Sequence, residues 1–412
     1  MNEAVVAQHA EEAAFLWTVR ERAAGEAHYS LRDLATLDAR VAAHIDGLML
    51  SGEIARGICE ANLDVAGPGE VFALAVTAYE VGDRERMRVA LQSASVSRVL
   101  RSGLVSALGW LDYSSVSKWV RMLLDAKAPE HRTVGIAGSA VHREDPGLAL
   151  DQALIDTNTE LRARALKAVG ELKRRDLLNR VRASLRDGDR ECRFWAAWAL
   201  AIHREPDGVA SLTRWFEDDI LGVRAMHLAL RAMSIQEGRE WITALAKRPG
   251  QERAAVMAAG IVGDPAVVPW LIDRMGSPDL ARLAGEAFTS ITGVDLTANH
   301  LDQDMPPDVN SDEDAPIEQV LELDHDSNLP WPEPSRINSW WVANHRRFTQ
   351  GVRYLVGVPI AAAHLREILV NGKQRQRAAA ALELSLINLD DSCFSVRERG
   401  DRQLRKLRSW TS

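Results

Sequence analysis

The sequence predicts an all-α protein, an α-solenoid of bihelical repeats about 30 residues long. Three observations lead to this prediction: arginines recur at a fixed spacing, each opens a run of small and apolar residues, and no strand-like alternation interrupts the series. The spacing is 29 to 31 residues, with the arginines at Arg101, Arg132, Arg162, Arg193, Arg224, Arg253 and Arg282. A constant period of this length is typical of stacked helical repeats, each of which buries its apolar face against its neighbours.

The first region, residues 1–66, is predicted to be an N-terminal helical cap. Apolar side chains recur there at helical spacing and form one stripe, at Leu34, Leu37, Val41, Ile45 and Leu48. Ser30 and Asp33 have the spacing of a capping box at the start of that helix. The Gly-Pro-Gly run at residues 67–69 then breaks the chain, so the repeats are expected to begin at this point.

The repeat region, residues 67–296, is predicted to alternate two kinds of helix. The first helix of each repeat is rich in Ala and Gly, which lets neighbouring helices approach closely, and the second is richer in Leu, Val, Ile and Trp. Asp189 precedes Arg193 by four residues and Asp279 precedes Arg282 by three, spacings at which helical neighbours pair. The arginines are therefore interpreted as an Asp/Arg ladder between successive repeats, with a positive stripe for a partner's carboxylates or phosphates as the alternative.

Two further regions complete the chain. Residues 297–336 are predicted to be an acidic, Pro-rich loop or disordered insertion, because residues 302–326 carry ten carboxylates, three prolines and no Lys or Arg. Residues 337–412 are predicted to be a C-terminal helical cap that begins near WWVANHRRF.

Composition limits the classes of function. The net charge of −8 and the pI of about 5.8 argue against a general affinity for nucleic acid or an anionic membrane. Cys59, Cys192 and Cys393 lie far apart, as expected for reduced thiols in a cytosolic protein. The N-terminus resembles no signal peptide, and the longest apolar stretch near the C-terminus is too short to cross a bilayer. We therefore expect a cytoplasmic protein.

The sequence contains no recognisable catalytic motif. HExxH, Cys-x-x-Cys, P-loop, G-x-G-x-x-G and G-x-S-x-G patterns do not occur, and the histidines form no paired His-Glu pattern. His203 and His227 are interpreted as structural histidines whose hydrogen bonds are satisfied. No catalytic residue, cofactor or metal site is therefore predicted, and the protein is expected not to be an enzyme.

One segment resembles a known repeat type. GDPAVVPWLIDRMGSPDLARLAGEAF, residues 263–288, resembles HEAT-like repeats of the phycobilisome-lyase type, and the resemblance extends over roughly residues 70–296. It implies a right-handed solenoid with first helices outside and second helices on the concave side. It does not imply lyase activity, because most proteins with such repeats are scaffolds.

A second resemblance runs nearly end to end. The chain is similar to a proteobacterial family of HEAT-like repeat proteins that tend to be encoded beside type VI secretion genes. The segments that carry it include HAEEAAFLWTVR, LATLDARVAAHIDGL, GEVFALAVTAYEVGD, LARLAGEAFTSITGVDL, LPWPEP and GKQRQRAAAALELSL. The resemblance implies an accessory role as an effector adaptor or an immunity protein. Its partner would be a secreted toxin or the toxin's loading protein. Because of the net charge, we expect neither nucleic acid nor a membrane as a partner.

Candidate partner-binding residues follow from exposed aromatic and acidic side chains. Trp270 is predicted to point away from an apolar helix face, and in this repeat type that direction is the concave surface. An exposed Trp on a rigid surface is typical of binding hot spots. The alternative is that Trp270 packs on a neighbouring repeat. The complete predicted set is Trp270, Asp312, Glu313, Asp314, Trp340 and Trp341.

Two other classes of function stay open at this stage. HEAT-like DNA glycosylases use a basic concave surface with aromatic residues and an acidic catalytic group, which the tryptophans and repeat arginines fit but the net charge does not. A lyase or chaperone for a chromophore is the third candidate, because of the repeat type.

Overall fold

The computed structural model describes residues 2–65, 67–305 and 326–410 of the 412-residue chain. The chain divides into two compact units. Unit 1 comprises Met1–Gly25, Tyr29–Gly208 and Asn388–Ser412, and unit 2 comprises Glu26–His28 and Val209–Ile387. The division into four regions, with boundaries after residues 66, 296 and 336, stays a prediction.

Both units are built from helices. Those of unit 1 are α1 (Glu3–Ala23), α2 (Leu31–Ala61), α3 (Pro68–Val81), α4 (Arg84–Ser95), α5 (Arg98–Trp110), α6 (Tyr113–Leu124), α7 (Pro129–His142), α8 (Leu148–Ala153), α9 (Thr159–Leu172), α10 (Leu178–Ala183), α11 (Arg190–Ile202) and the C-terminal helix Gly400–Ser409. The helix α12 (Pro206–Leu212) contains the boundary between the units. The helices of unit 2 are α13 (Gly222–Ala232), α14 (Ile235–Ala246), α15 (Glu252–Val262), α16 (Val268–Arg274), α17 (Pro278–Thr292), α18 (Pro334–Asn344), α19 (Ala362–Asn371) and α20 (Gln374–Ile387). The C-terminal helix of unit 1 is α21 in chain order.

Four two-residue strands and several short 3-10 helices accompany them in the part of the chain that the structure describes. Strand β1 (Asp302–Gln303) pairs antiparallel with β2 (Trp331–Pro332), and β3 (Tyr354–Leu355) with β4 (Val358–Pro359). The 3-10 helices are Asn62–Val65, Arg175–Leu177, Ser184–Arg186, Thr213–Trp215, Pro265–Val267 and His345–Arg347. The sequence did not predict the β3–β4 hairpin inside the C-terminal cap.

The repeat prediction is confirmed: the fold is all-α, and helices pack in neighbouring pairs. The seven arginines all fall near the starts of alternate helices, α5, α7, α9, α11, α13, α15 and α17. These first helices bury most of their side chains. In α11, every side chain from Cys192 to Ile202 except that of Arg193 is buried. The period therefore marks the start of each first helix.

The N-terminal helix pair also follows its prediction. The hydroxyl of Ser30 accepts a hydrogen bond from the Asp33 N–H at 3.3 Å, and the Asp33 carboxylate accepts one from the Ser30 N–H at 2.8 Å. The predicted apolar stripe of α2 is buried throughout. The helix bends at Gly52, whose φ of 56° lies in the left-handed region that favours glycine.

The arginine ladder exists in unit 1, although not with all the predicted pairs. Arg132 pairs with Asp156 at 2.9 Å and Arg162 with Asp187 at 2.8 Å, and each of these carboxylates precedes the next first helix. The predicted pair Asp189–Arg193 is wrong. Asp189 is the N-cap of α11 and accepts from the Cys192 N–H, while Arg193 donates to the carbonyls that precede the helix. The guanidinium groups of these arginines are bound to carboxylates or backbone carbonyls of the chain itself, so they do not form a positive stripe for a partner.

The C-terminal strap, residues 393–409, packs along the other helices of unit 1. The Cys393 N–H donates to the Glu171 carbonyl at the end of α9, at 3.0 Å. The guanidinium of Arg402 donates to the carbonyls of Gly109 and Trp110 at the end of α5, at 2.6 and 2.8 Å. The last carbonyls of a helix have no partner within it and carry a partial negative charge, so a cation at this position stabilises the helix end.

Unit 2 caps its first helices with the loop that forms β3 and β4. Arg353 donates to the carbonyls of Leu230, Arg231 and Met233 at the end of α13, at 2.9, 2.5 and 3.1 Å. The Tyr354 N–H donates to the Gly263 carbonyl just after α15, at 2.8 Å. Gly263 has a φ of 70°, and a Cβ there would lie 2.4 Å from the Tyr354 carbonyl oxygen, so the loop requires glycine at this position.

A buried carboxylate of unit 1 gives a testable dependence on pH. Burial alone would raise the pKa of Glu171, but Arg164, Lys167 and Arg143 outweigh that effect and hold the pKa at about 2 instead of 4.5. The Glu171 carboxylate lies 3.0 Å from Arg164 and 3.6 Å from Lys167. Because the pKa in the folded state is depressed, the ionised carboxylate stabilises the fold above pH 4.5 and loses this effect as the pH falls toward 2.

We expect Glu171→Gln to lower the free energy of unfolding at pH 7 by about 2 kcal/mol. The difference between the variant and the wild type should shrink progressively between pH 4.5 and 2. Urea unfolding at pH 7, 4 and 3 measures this. An equal difference at all three values would contradict the assignment of the low pKa to Glu171.

Candidate protein-binding surface

Helix α18 of unit 2 presents most of its surface outward. Glu333 caps its N-terminus, since its carboxylate accepts hydrogen bonds from the N–H groups of Ser335 and Arg336 at 3.2 and 2.8 Å. Pro334 occupies the first turn, where a missing N–H costs no helical hydrogen bond. Ile337 is the residue of this helix that is fully buried. The sequence SWWVAN thus places large apolar side chains on a helix that buries little of its own surface.

Two tryptophans of this helix form an aromatic cluster with Phe348. The Trp340 ring lies 5.7 Å from Phe288 of α17, edge to face, and 6.4 Å from Phe348. The Trp341 ring lies 5.5 Å from Phe348. Phe348 is buried and also contacts Tyr354 at 5.4 Å. Both tryptophans are half-buried, so part of each side chain stays accessible to solvent.

Basic and apolar side chains continue this surface. Val342 is 63% exposed and follows the two tryptophans directly. Arg346 and Arg347 are exposed, and within the described residues neither forms a salt bridge; Arg347 donates to the Asn344 side chain at 3.3 Å. We call Trp340, Trp341, Val342, Arg346 and Arg347 the α18 surface. Its centre is apolar and its edge is positively charged.

Trp270 lies on α16, a helix that packs against α18. The apolar face predicted for this helix is buried, at Val268, Leu271, Ile272 and Met275. Trp270 is half-buried, with the Arg274 guanidinium 5.9 Å from the ring centre. Among the described residues its ring makes no aromatic contact with Trp340 or Trp341, so the structure places it on a neighbouring helix and outside their cluster.

The predicted acidic contacts, Asp312, Glu313 and Asp314, lie outside the described residues. The ends of the acidic insertion are described, and they pair as β1 and β2, with Asp302 opposite Pro332 and Gln303 opposite Trp331.

Sequence reasoning missed the residues that hold the tryptophans. Phe348 stands seven residues after Trp341, a spacing at which helical side chains share a face, so the pattern contained a signal for it. Phe288 belongs to α17, more than fifty residues earlier, and no local pattern links it to Trp340.

Outside the α18 surface, the described residues offer few candidates for metal binding or catalysis. No group of three or more His, Cys, Asp and Glu residues there is arranged to hold a metal ion. Both ring nitrogens of His203 are buried, and the polar group that interacts with the ring is the backbone of Val169. Burial and the charge of Lys173 lower the pKa of His203 to about 4, so the ring is neutral at pH 7. His227 accepts a hydrogen bond from Arg231 at 3.1 Å.

Within the described residues, no helix is both long enough and apolar enough to span a membrane.

Comparison with known families identifies a repeat family. A family model for HEAT repeats matches residues 148–231, which extend from the start of α8 into the last turn of α13. A comparison with curated proteins finds no significant match. HEAT repeats commonly serve as scaffolds for protein interactions and are typically non-catalytic. The match, together with the paired helices, supports a HEAT-like repeat protein.

Proposed function

We propose that this chain is a non-enzymatic scaffold that binds a protein partner through the α18 surface. The observation that carries the proposal is the pair of half-exposed tryptophans, each in contact with Phe348. A rigid aromatic side chain loses little conformational freedom on binding, and Trp and Arg are the residues most enriched at binding hot spots.

The charge of the surface indicates the chemistry of the partner. Arg346 and Arg347 are exposed beside the aromatic rings, and no carboxylate of the described residues pairs with them. A guanidinium can bind a carboxylate in a bidentate manner, and opposite charges at the edge of an interface accelerate association. The complementary surface is therefore apolar at its centre and acidic at its edge.

The finer proposal is that the scaffold is a cytoplasmic accessory of type VI secretion. The end-to-end sequence resemblance supports it. As an effector adaptor the chain would bind a toxin's loading protein, and as an immunity protein it would bind the secreted toxin. Trp270 on the neighbouring helix and the acidic residues Asp312, Glu313 and Asp314 are proposed as additional contacts of the same partner.

The experiment compares two single variants in affinity capture from the native host, followed by quantitative mass spectrometry. Trp341→Ala removes the accessible ring at the centre of the surface, whereas Phe15→Ala removes an aromatic side chain that is 63% exposed on α1 of unit 1. We expect Trp341→Ala to weaken partner binding about thirtyfold, as for a hot spot worth roughly 2 kcal/mol. Phe15→Ala should leave binding unchanged.

Equal recovery of every associated protein by the two variants would exclude the α18 surface as the binding site. Salt sensitivity provides a second readout, because the contribution of Arg346 and Arg347 should decrease as ionic strength rises. A toxin as the captured protein favours the immunity role, and a loading protein favours the adaptor role.

A further inference from the structure

Helices α1 and α2 bring two histidines into direct contact, far in sequence from the α18 surface. The Nδ1 atoms of His9 on α1 and His44 on α2 lie 3.1 Å apart. The rings are edge to face, with centroids 5.1 Å apart. Both side chains are half-buried, so the pair is in contact with solvent while its position is fixed by the helices.

The packing of the two helices determines this geometry. Val6, Ala10 and Ala13 on α1, and Val41, Ile45 and Leu48 on α2, are buried in one core on either side of the pair. Gly47 provides the space for the imidazole of His9: a Cβ at Gly47 would lie 2.9 Å from His9 Cε1 and Nε2. The His9 ring therefore rests with those atoms over the glycine, and its Nδ1 is directed at His44.

Charged side chains of both helices act on His44. Burial, together with His9 and Arg40, lowers the pKa of His44, while Glu12 acts in the opposite direction. Glu12 lies three residues after His9 on α1, so it supplies a negative charge on the same face of the helix. Neutral imidazole nitrogens can donate a lone pair, and a nearby carboxylate offsets the charge of a bound cation.

We propose that His9 and His44 form a binding site for a divalent transition-metal ion such as Zn²⁺, which links α1 to α2. Both Nδ1 atoms are the ligands, and water completes the coordination. Zinc–nitrogen bonds of about 2.0–2.1 Å at a tetrahedral angle place two nitrogens about 3.3 Å apart, so the observed pair needs only a small adjustment. Imidazole also suits Cu²⁺ and Ni²⁺, while Mg²⁺ and Ca²⁺ prefer oxygen.

The site is independent of the proposed partner surface, and so is its test. Zn²⁺ is titrated by calorimetry into the full chain, purified without a polyhistidine tag, at pH 7.5. We expect one saturable site, which His9→Gln or His44→Gln weakens about tenfold or more. His131→Gln, a half-exposed histidine of α7, is the matched control and should bind as the wild type does.

A spectroscopic readout on the wild type removes any dependence on the folding of the variants. Bound Cu²⁺ should show electron paramagnetic coupling to two imidazole nitrogens at one equivalent of metal. The proposal is overturned if the wild type shows no saturable Zn²⁺ binding, if both substitutions leave the affinity unchanged, or if one equivalent of Cu²⁺ shows coupling to fewer than two imidazoles.

Discussion

Gly103→Ala is expected to destabilise unit 1 by about 3 kcal/mol, the upper end of the usual range for overpacking. Gly103 lies in α5 where this helix crosses α3, and a Cβ there would lie 2.0 Å from the Pro68 carbonyl oxygen and 3.1 Å from the Phe72 nitrogen. The atoms it meets belong to the backbone, so no side-chain rotation relieves the clash. The helices have to separate, which exposes apolar surface around Phe72.

A second Gly→Ala substitution in a helix serves as the control. Gly57 lies in α2, and a Cβ there would meet no atom within 4 Å. Gly57→Ala should stabilise the protein by roughly 0.5–1 kcal/mol, because alanine restricts the unfolded chain more than glycine does. Urea unfolding of both variants measures the difference. Shifts of the same sign and size would show that α3 and α5 do not pack as closely as described.

Arg20→Met is expected to lower the free energy of unfolding by about 3–5 kcal/mol. Arg20 is buried and donates to the Asp38 carboxylate at 2.8 Å, and also to the carbonyls of Arg397 and Glu398 in the C-terminal strap at 2.7 and 2.9 Å. The other oxygen of Asp38 accepts from the Gly400 N–H at 2.6 Å. Removal of the guanidinium leaves the buried Asp38 carboxylate without its cation and takes a donor from both strap carbonyls.

The strap gives this prediction a local readout. Amide hydrogen exchange should accelerate in residues 393–409 of Arg20→Met before it accelerates in the helices, since local opening precedes global unfolding. Arg88→Met is the control, because the pair Arg88–Glu85 is solvent-exposed and such pairs contribute little. If the two variants are equally stable, the strap is not held by Arg20.

The sequence predicted the features that depend on local pattern. The arginine period located the start of each first helix, and Ser30 with Asp33 located the start of α2, because capping and helix periodicity involve residues a few positions apart. The same reasoning failed for Asp189. Both the helix N-terminus and Arg193 are within reach of its carboxylate, and the sequence does not tell which of them it binds.

Long-range contacts lie beyond such reasoning. The basic residues of the C-terminal segment were visible in the sequence, but nothing local indicated that Arg402 binds carbonyls near Trp110, almost three hundred positions earlier. The candidate site likewise combines residues that the local pattern predicted with a long-range contact that it did not. Trp340 and Trp341 were identified from the sequence, whereas the contact of Trp340 with Phe288 depends on how α17 and α18 meet.

Site-specific photo-crosslinking in the native host tests the proposed role of the α18 surface most directly. A photoreactive amino acid replaces Val342, which is 63% exposed beside the tryptophans, and in a second strain it replaces Val96, which is 80% exposed in unit 1. We expect one discrete protein adduct from position 342 and none from position 96, with the adduct lost on Trp341→Ala. An adduct from position 96 alone, or an adduct from position 342 that persists in Trp341→Ala, would contradict the proposal that this chain binds its partner through the α18 surface.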